Sequence, residues 1–162
     1  MATKTEVGTT RFEMRSESEI VAAGTIDAPR ELVWDAWTNP EHVPNWLLGP
    51  DGWSMPVCAI DLRPGGLWHY IWRGPDGAHM EMQGTYREVE RPHRLVYTES
   101  WGDDWPETVN TLVLTEMAGT TTMTHAVLYP SKSDRDAALA TGMEEGWAAS
   151  WKRLDEYLQG IK

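Results

Sequence analysis

The chain has 162 residues, a formal net charge of -11 and no basic run, so it reads as one domain whose surface would repel a nucleic-acid backbone or an anionic membrane. No apolar stretch approaches the length of a membrane span, and residues 1–10 lack the apolar centre of a signal peptide. Cys58 is the single cysteine, which excludes an intrachain disulfide and points to a cytoplasmic protein.

In chain order, residues 1–17 are polar and without period, and read as a flexible tail or one short strand at 11–14. Residues 18–160 then form the single domain. A strand is expected at 19–26. Asp27-Ala-Pro29 turns the chain into a helix with Pro29 in its first position, and Val33, Ala36 and Trp37 share one face. Asn39-Pro40-Glu41 restarts the chain as a second short helix, with Asn39 as cap, ending near Leu48 before Gly49-Pro50.

Strand chemistry follows. Strands are expected at 54–62, 67–73, 78–90, 94–101, 108–116 and 120–129. Gly65-Gly66, Pro75-Asp-Gly77, Arg91-Pro-His93 and Met117-Ala-Gly119 supply the turns. Gly84 marks a bend or bulge. Residues 102–107, with Asp103, Asp104 and Glu107, form an acidic rim loop. Ser133 and Asp136 suggest a capping box opening one long helix that runs to about Gln159, with Gly160 as its stop. Leu139, Met143, Trp147, Ser150, Trp151, Leu154 and Leu158 recur on it at helical spacing. The order predicts an α+β domain in which a curved antiparallel sheet grips a long C-terminal helix.

Alternation assigns the faces of the strands. Trp68, Tyr70 and Trp72 share one face, and Met80, Met82, Gly84 and Tyr86 oppose the polar Glu81, Gln83, Thr85 and Arg87. Leu112 and Leu114 face inward, as do Met123, His125 and Val127. The lining is thus rich in Trp, Tyr and Met, and ten Trp against one Phe is an unusual balance for a plain core. Gly142 and Gly146, four apart on the closing helix, lower its wall.

Ile26-Asp-Ala-Pro29, Val33-Trp34, Pro40-Glu41 and Trp46 resemble the opening of SRPBCC proteins of the START-like superfamily. Asp61-Leu-Arg-Pro-Gly-Gly66, Pro75-Asp-Gly77, Gly84-x-Tyr86, Pro92-x-Arg94-Leu-Val96, Ser131 to Asp136, Gly142-Met143 and Leu154-Asp155 narrow the resemblance to the group named for the activator of heat shock protein 90 ATPase, C-terminal domain. The ordered set spans residues 18–160. The resemblance implies a helix-grip fold of six or seven antiparallel strands, two short helices after the first strand and one long C-terminal helix, enclosing a hydrophobic ligand cavity. The eukaryotic co-chaperone of that group has an additional N-terminal domain that these residues do not hold, which weighs against carrying its chaperone partner over from the resemblance.

The chemistry-bearing residues give little catalytic vocabulary. His42, His69, His79, His93 and His125 have no metal-ligand spacing, no cofactor motif is present, and Cys58 reads as a small strand residue. Asp61 and Arg63 brace the Gly65-Gly66 turn. His125 shares a face with Met123 and Val127, where burial would keep the imidazole neutral. With Tyr70, Tyr86 and Asn110 it would orient an apolar guest by a few hydrogen bonds. The expected site is a pocket for a small hydrophobic or aromatic molecule, held by Trp68, Tyr70, Trp72, Met82, Tyr86, Leu112, Met123, His125 and Trp147, with Trp37, Trp46 and Trp151 closing its ends. Two other readings are a cyclase- or hydratase-like enzyme using His125 and a Tyr, and a co-chaperone module that stimulates a chaperone ATPase. Exposed Trp would offer a homodimer surface.

Overall fold

The computed structural model describes residues 3–48, 51–102 and 105–161. Its sheet has nine antiparallel strands among the described residues: β1 (Thr3–Val7), β2 (Thr10–Ser16), β3 (Glu19–Ile26), β4 (Ser54–Ile60), β5 (Leu67–Arg73), β6 (His79–Glu90), β7 (Arg94–Glu99), β8 (Thr108–Met117) and β9 (Thr120–Leu128). They lie in the order β1-β2-β3-β9-β8-β7-β6-β5-β4. The helices are α1 (Arg30–Thr38), α2 (Lys132–Leu139) and α3 (Met143–Ile161). This is the α+β helix-grip architecture: the sheet curves, and its inner face packs against α3. No helix among the described residues is long and apolar enough to cross a membrane.

The alternating faces follow the period of two in the sequence. Trp68, Tyr70 and Trp72 are buried, as are Met82, Tyr86, Leu112, Leu114, Met123, His125 and Val127. Met80 lies on the same face of β6 but reaches the rim and stays partly exposed. On α3 the buried side chains are Ala148, Ser150, Trp151, Leu154 and Leu158, a stripe at spacings of three and four.

Four local expectations change. The polar N-terminal stretch is a β1–β2 hairpin on the sheet edge, not a loose tail or a lone short strand. Phe12 explains it: fully buried, it sits edge-on to Trp147 at 5.4 Å between ring centres, and one such anchor is too thin a signal to read as a period. Pro29 takes the position before α1 rather than its first residue. The second short helix reduces to a single 3-10 turn, Val43–Asn45. Pro44 carries no N–H, so the α-helical bond back to Pro40 cannot form, although the Asn39 side chain still accepts from the Glu41 N–H at 2.9 Å.

The fourth change bears on the site. The expected single C-terminal helix is two. Ser131, not Ser133, caps α2 by accepting from the Asp134 N–H at 3.1 Å. The chain breaks at Thr141-Gly142, where Gly142 adopts φ +77°, and α3 then runs past Gly160 to Ile161.

The turn into β5 is built as its residues suggested. The Arg63 Nε donates to both Asp61 carboxylate oxygens at 3.1 and 2.9 Å. Gly65 N–H donates to Tyr86 O at 2.8 Å, and Tyr86 N–H donates to Gly66 O at 2.9 Å, so the turn is pinned onto β6.

Candidate functional site

Between the inner face of the sheet and α2–α3 lies a cavity of about 840 Å³. β5 contributes Trp68, Tyr70 and Trp72; β6 contributes Met82 and Tyr86. His125 rises from β9, Trp147 and Trp151 descend from α3, and Trp37 and Trp46 stand beside them. Two of the expected residues do not border the space. Leu112 and Met123 are fully buried beneath it, and the Met123 sulfur accepts from Trp37 Nε1 at 3.4 Å. Alternation gives the inward face but not the depth, and these two pack under Trp37 and His125 rather than facing the void. The cavity opens where its lining is exposed: at His79–Glu81, at Trp101-Gly102 and Trp105, and at the α2–α3 break near Thr141.

Three of the lining indoles are tied down by their N–H groups, which fixes that part of the aromatic walls. Trp46 Nε1 donates to Ala36 O at 2.9 Å, Trp68 Nε1 to Thr98 O at 3.1 Å, and Trp72 Nε1 to Leu47 O at 2.7 Å. Edge-to-face contacts link Trp37 with Trp46 and Tyr70 with Trp72.

His125 is the centre of a buried polar string. Asn110 Nδ2 donates to Thr108 Oγ1 at 3.0 Å, so Asn110 Oδ1 faces His125 Nε2 at 2.8 Å as an acceptor. The neutral imidazole therefore carries its proton on Nε2, with the Tyr97 hydroxyl also near at 3.3 Å, and leaves Nδ1 buried without a partner. Burial pushes the imidazole pKa down to about 3. The histidine thus stabilises the fold above its ordinary pKa of 6.5, and that stability is lost as pH falls towards 3. We expect His125→Gln to remove a loss on the order of 3 kcal/mol between neutral pH and about pH 4. Denaturant melts of both proteins across that range, compared as differences, check it. Parallel pH profiles for the two would mean that the imidazole is not held neutral.

Sequence reasoning passed over a carboxylate. Leu95, Tyr97 and Glu99 alternate on the inward face of β7, and all three border the cavity. Glu99 Oε1 accepts from Trp101 Nε1 at 2.6 Å. Burial raises its pKa from 4.5 to about 7, against the opposing effect of that indole bond. The period of two in residues 95–99 was the signal that could have found it. Tyr97, Trp101, Trp105 and Tyr129 were also missed as lining.

Other candidates lie elsewhere. Cys58 on β4 is half-buried, and burial pushes its thiol up to about 11, which leaves it protonated and unreactive at neutral pH. Among the described residues, no three His, Cys, Asp or Glu side chains converge as metal ligands. Glu107 and Glu145 are exposed, and Glu144 is half-buried; Asp103 and Asp104 of the expected rim loop, like Gly49 and Pro50, lie outside the described residues.

The profile of one protein family, described as activator of Hsp90 ATPase homolog 1-like protein, matches residues 27–159. No curated protein sequence matches the chain. Among solved structures, a Rhodobacter sphaeroides protein is 30% identical, with a TM-score of 0.87 over 94% of this chain and 99% of its own. A Nitrosomonas europaea protein is 26% identical, with a TM-score of 0.80 over 91% of this chain and 97% of its own. An Aeromonas hydrophila protein described as AHSA1-like has 21% identity and a TM-score of 0.71 over 86% of this chain and 93% of its own, a likeness of fold alone.

Proposed function

Because the chain belongs to the activator of Hsp90 ATPase homolog 1-like family, we propose that it binds a small apolar or aromatic molecule in the cavity between sheet and helices. Fold and family mark it more broadly as a ligand-binding or activator-type module. The observation that carries the finer reading is the cavity itself: about 840 Å³ walled by Trp, Tyr and Met, with few polar groups. Burying apolar surface there would stabilise a complex by about 25 cal/mol per Å², before the costs of association. The tied indoles hold the walls in place before any guest arrives, which reduces those costs. Native mass spectrometry of freshly purified protein should show an excess mass that disappears on denaturation. A clean apo mass, together with no saturable uptake of tryptophol in a calorimetric titration, would sink the reading.

A second reading, catalysis in the same cavity, draws on one observation. Glu99 with a pKa near 7 and a neutral His125 are two environments that push ionisable groups apart. A His125→Ala protein that keeps its guest but no longer converts it would favour that reading. If the guest leaves the wild-type protein chemically unchanged, the enzyme reading fails.

A further inference from the structure

Resting on the binding function proposed above, the geometry points to a guest with a basic amine at one end, paired with the Glu99 carboxylate at the mouth, and an aromatic or aliphatic body in the cavity. Glu99 is placed by the strand, since its neighbours at two-residue spacing, Tyr97 and Leu95, are buried cavity residues. Trp101 Nε1 holds Oε1 at 2.6 Å and so fixes the carboxylate's orientation. Oε2 has no hydrogen-bond or ion-pair partner among the described residues. With one oxygen fixed by the indole and the other open at the mouth, the half-buried carboxylate can take a charged partner from a guest.

The surroundings favour a cation over any other head group. Among the described residues no Lys or Arg borders the cavity, so an anionic guest such as a fatty acid would find no Lys or Arg counter-charge there. Aromatic faces stand beside the carboxylate: Trp72 and Trp101 stack at 5.7 Å with 9° between their planes, and Trp105 is part of the same mouth. Indole faces attract ammonium groups. The net charge of -11 draws cations towards the mouth.

The groups that face Glu99 decide its pH behaviour. Tyr70 from β5, Tyr97 from β7 and Tyr129 after β9 interact with it electrostatically, and all three hydroxyls are pushed to higher pKa by burial and stay neutral. β6 brings His79 and Glu81 to the rim, β9 brings the neutral His125, and α2 and α3 bring no charged lining residue. Because the empty site holds its proton up to about pH 7, a bound ammonium must displace that proton in acid. Affinity for a cation then falls with pH, whereas affinity for a neutral guest does not.

Calorimetric titration with tryptamine, its alcohol isostere tryptophol and indoleacetate tests the inference, since the three share one ring and differ in charge. At about pH 8 tryptamine should bind roughly tenfold tighter than tryptophol, with indoleacetate weakest. The tryptamine advantage should shrink roughly tenfold at about pH 6, and that pH dependence should be lost in Glu99→Gln. Glu99→Gln should bring tryptamine to the affinity of tryptophol; its thermal melt reports whether it folds, and the wild-type pH series carries the test if it does not. Equal binding of tryptamine and tryptophol, or tighter binding of indoleacetate, overturns the amine assignment and leaves the cavity reading standing. No binding of any of the three overturns the amine assignment and, together with a clean apo native mass, the cavity reading as well.

Discussion

Gly84→Ala should destabilise the protein by roughly 4 kcal/mol and lower its melting temperature by about 10 °C. Gly84 is where three strands approach too closely for a side chain. A Cβ at this position would overlap the Thr98 carbonyl oxygen of β7 and come within 2.8 Å of Trp68 Nε1 from β5. The Trp68 indole reaches across the bare backbone to donate to Thr98 O at 3.1 Å. Beside it, Gln83 and Ser100 exchange two backbone hydrogen bonds at 3.0 and 2.8 Å. The clash is with backbone and with an indole held by its own hydrogen bond, so no flexible tip can swing aside. Separating the strands would break that bond and strain the Gln83–Ser100 pair. Each buried group left unpaired costs about 1–3 kcal/mol. Thermal and denaturant melts check the value. A change within about 0.5 kcal/mol, the level of an ordinary surface substitution, would mean that β6 and β7 leave room for a methyl group at this position.

Gly146→Trp should do the opposite to stability and close the site. Gly146 borders the cavity on α3, beside Met143 and Ser150, and a Cβ added there would meet nothing within 4 Å. Glycine inside a helix costs about 0.8–1 kcal/mol relative to alanine, so a side chain at this position should hold or slightly raise the melting temperature. The indole would lie over the entrance between the α2–α3 break and Trp147. Affinity for tryptophol should fall at least about tenfold, and any excess mass seen in native spectra should vanish. Unchanged uptake with a normal melt would place the entrance elsewhere, on the β6 side. The pair of variants separates the two uses of glycine in this chain, since one is required by packing and the other leaves space.

Legible in the sequence were the faces of the strands and the order of elements from β3 to β9. Period two in β5, β6, β8 and β9 assigned Trp68, Tyr70, Trp72, Met82, Tyr86 and His125 inward, and all of them border the cavity. Side-chain direction in a strand is a local property of the backbone, which is why it was legible. The ordered motifs identified the family, because turn residues such as Gly65-Gly66 and Pro75-Asp-Gly77 report local backbone geometry.

Depth, breaks and pairings between distant residues were settled by the packing of the elements on one another. Leu112 and Met123 obey the same alternation as His125 yet pack beneath the cavity, since depth depends on what α1 and α3 lay over each strand. The N-terminal hairpin brings Phe12 against Trp147, a contact between opposite ends of the chain. The break at Gly142, where φ is +77°, interrupts a stretch whose spacing reads as one helix on both sides. Glu99 is the sharpest case. Its inward direction follows from β7 alone, but its raised pKa and the aromatic pair beside it come from Trp72 and Trp101 meeting across the mouth. Burial and charge environment are sums over neighbours that the fold brings together, so no local window of sequence contains them.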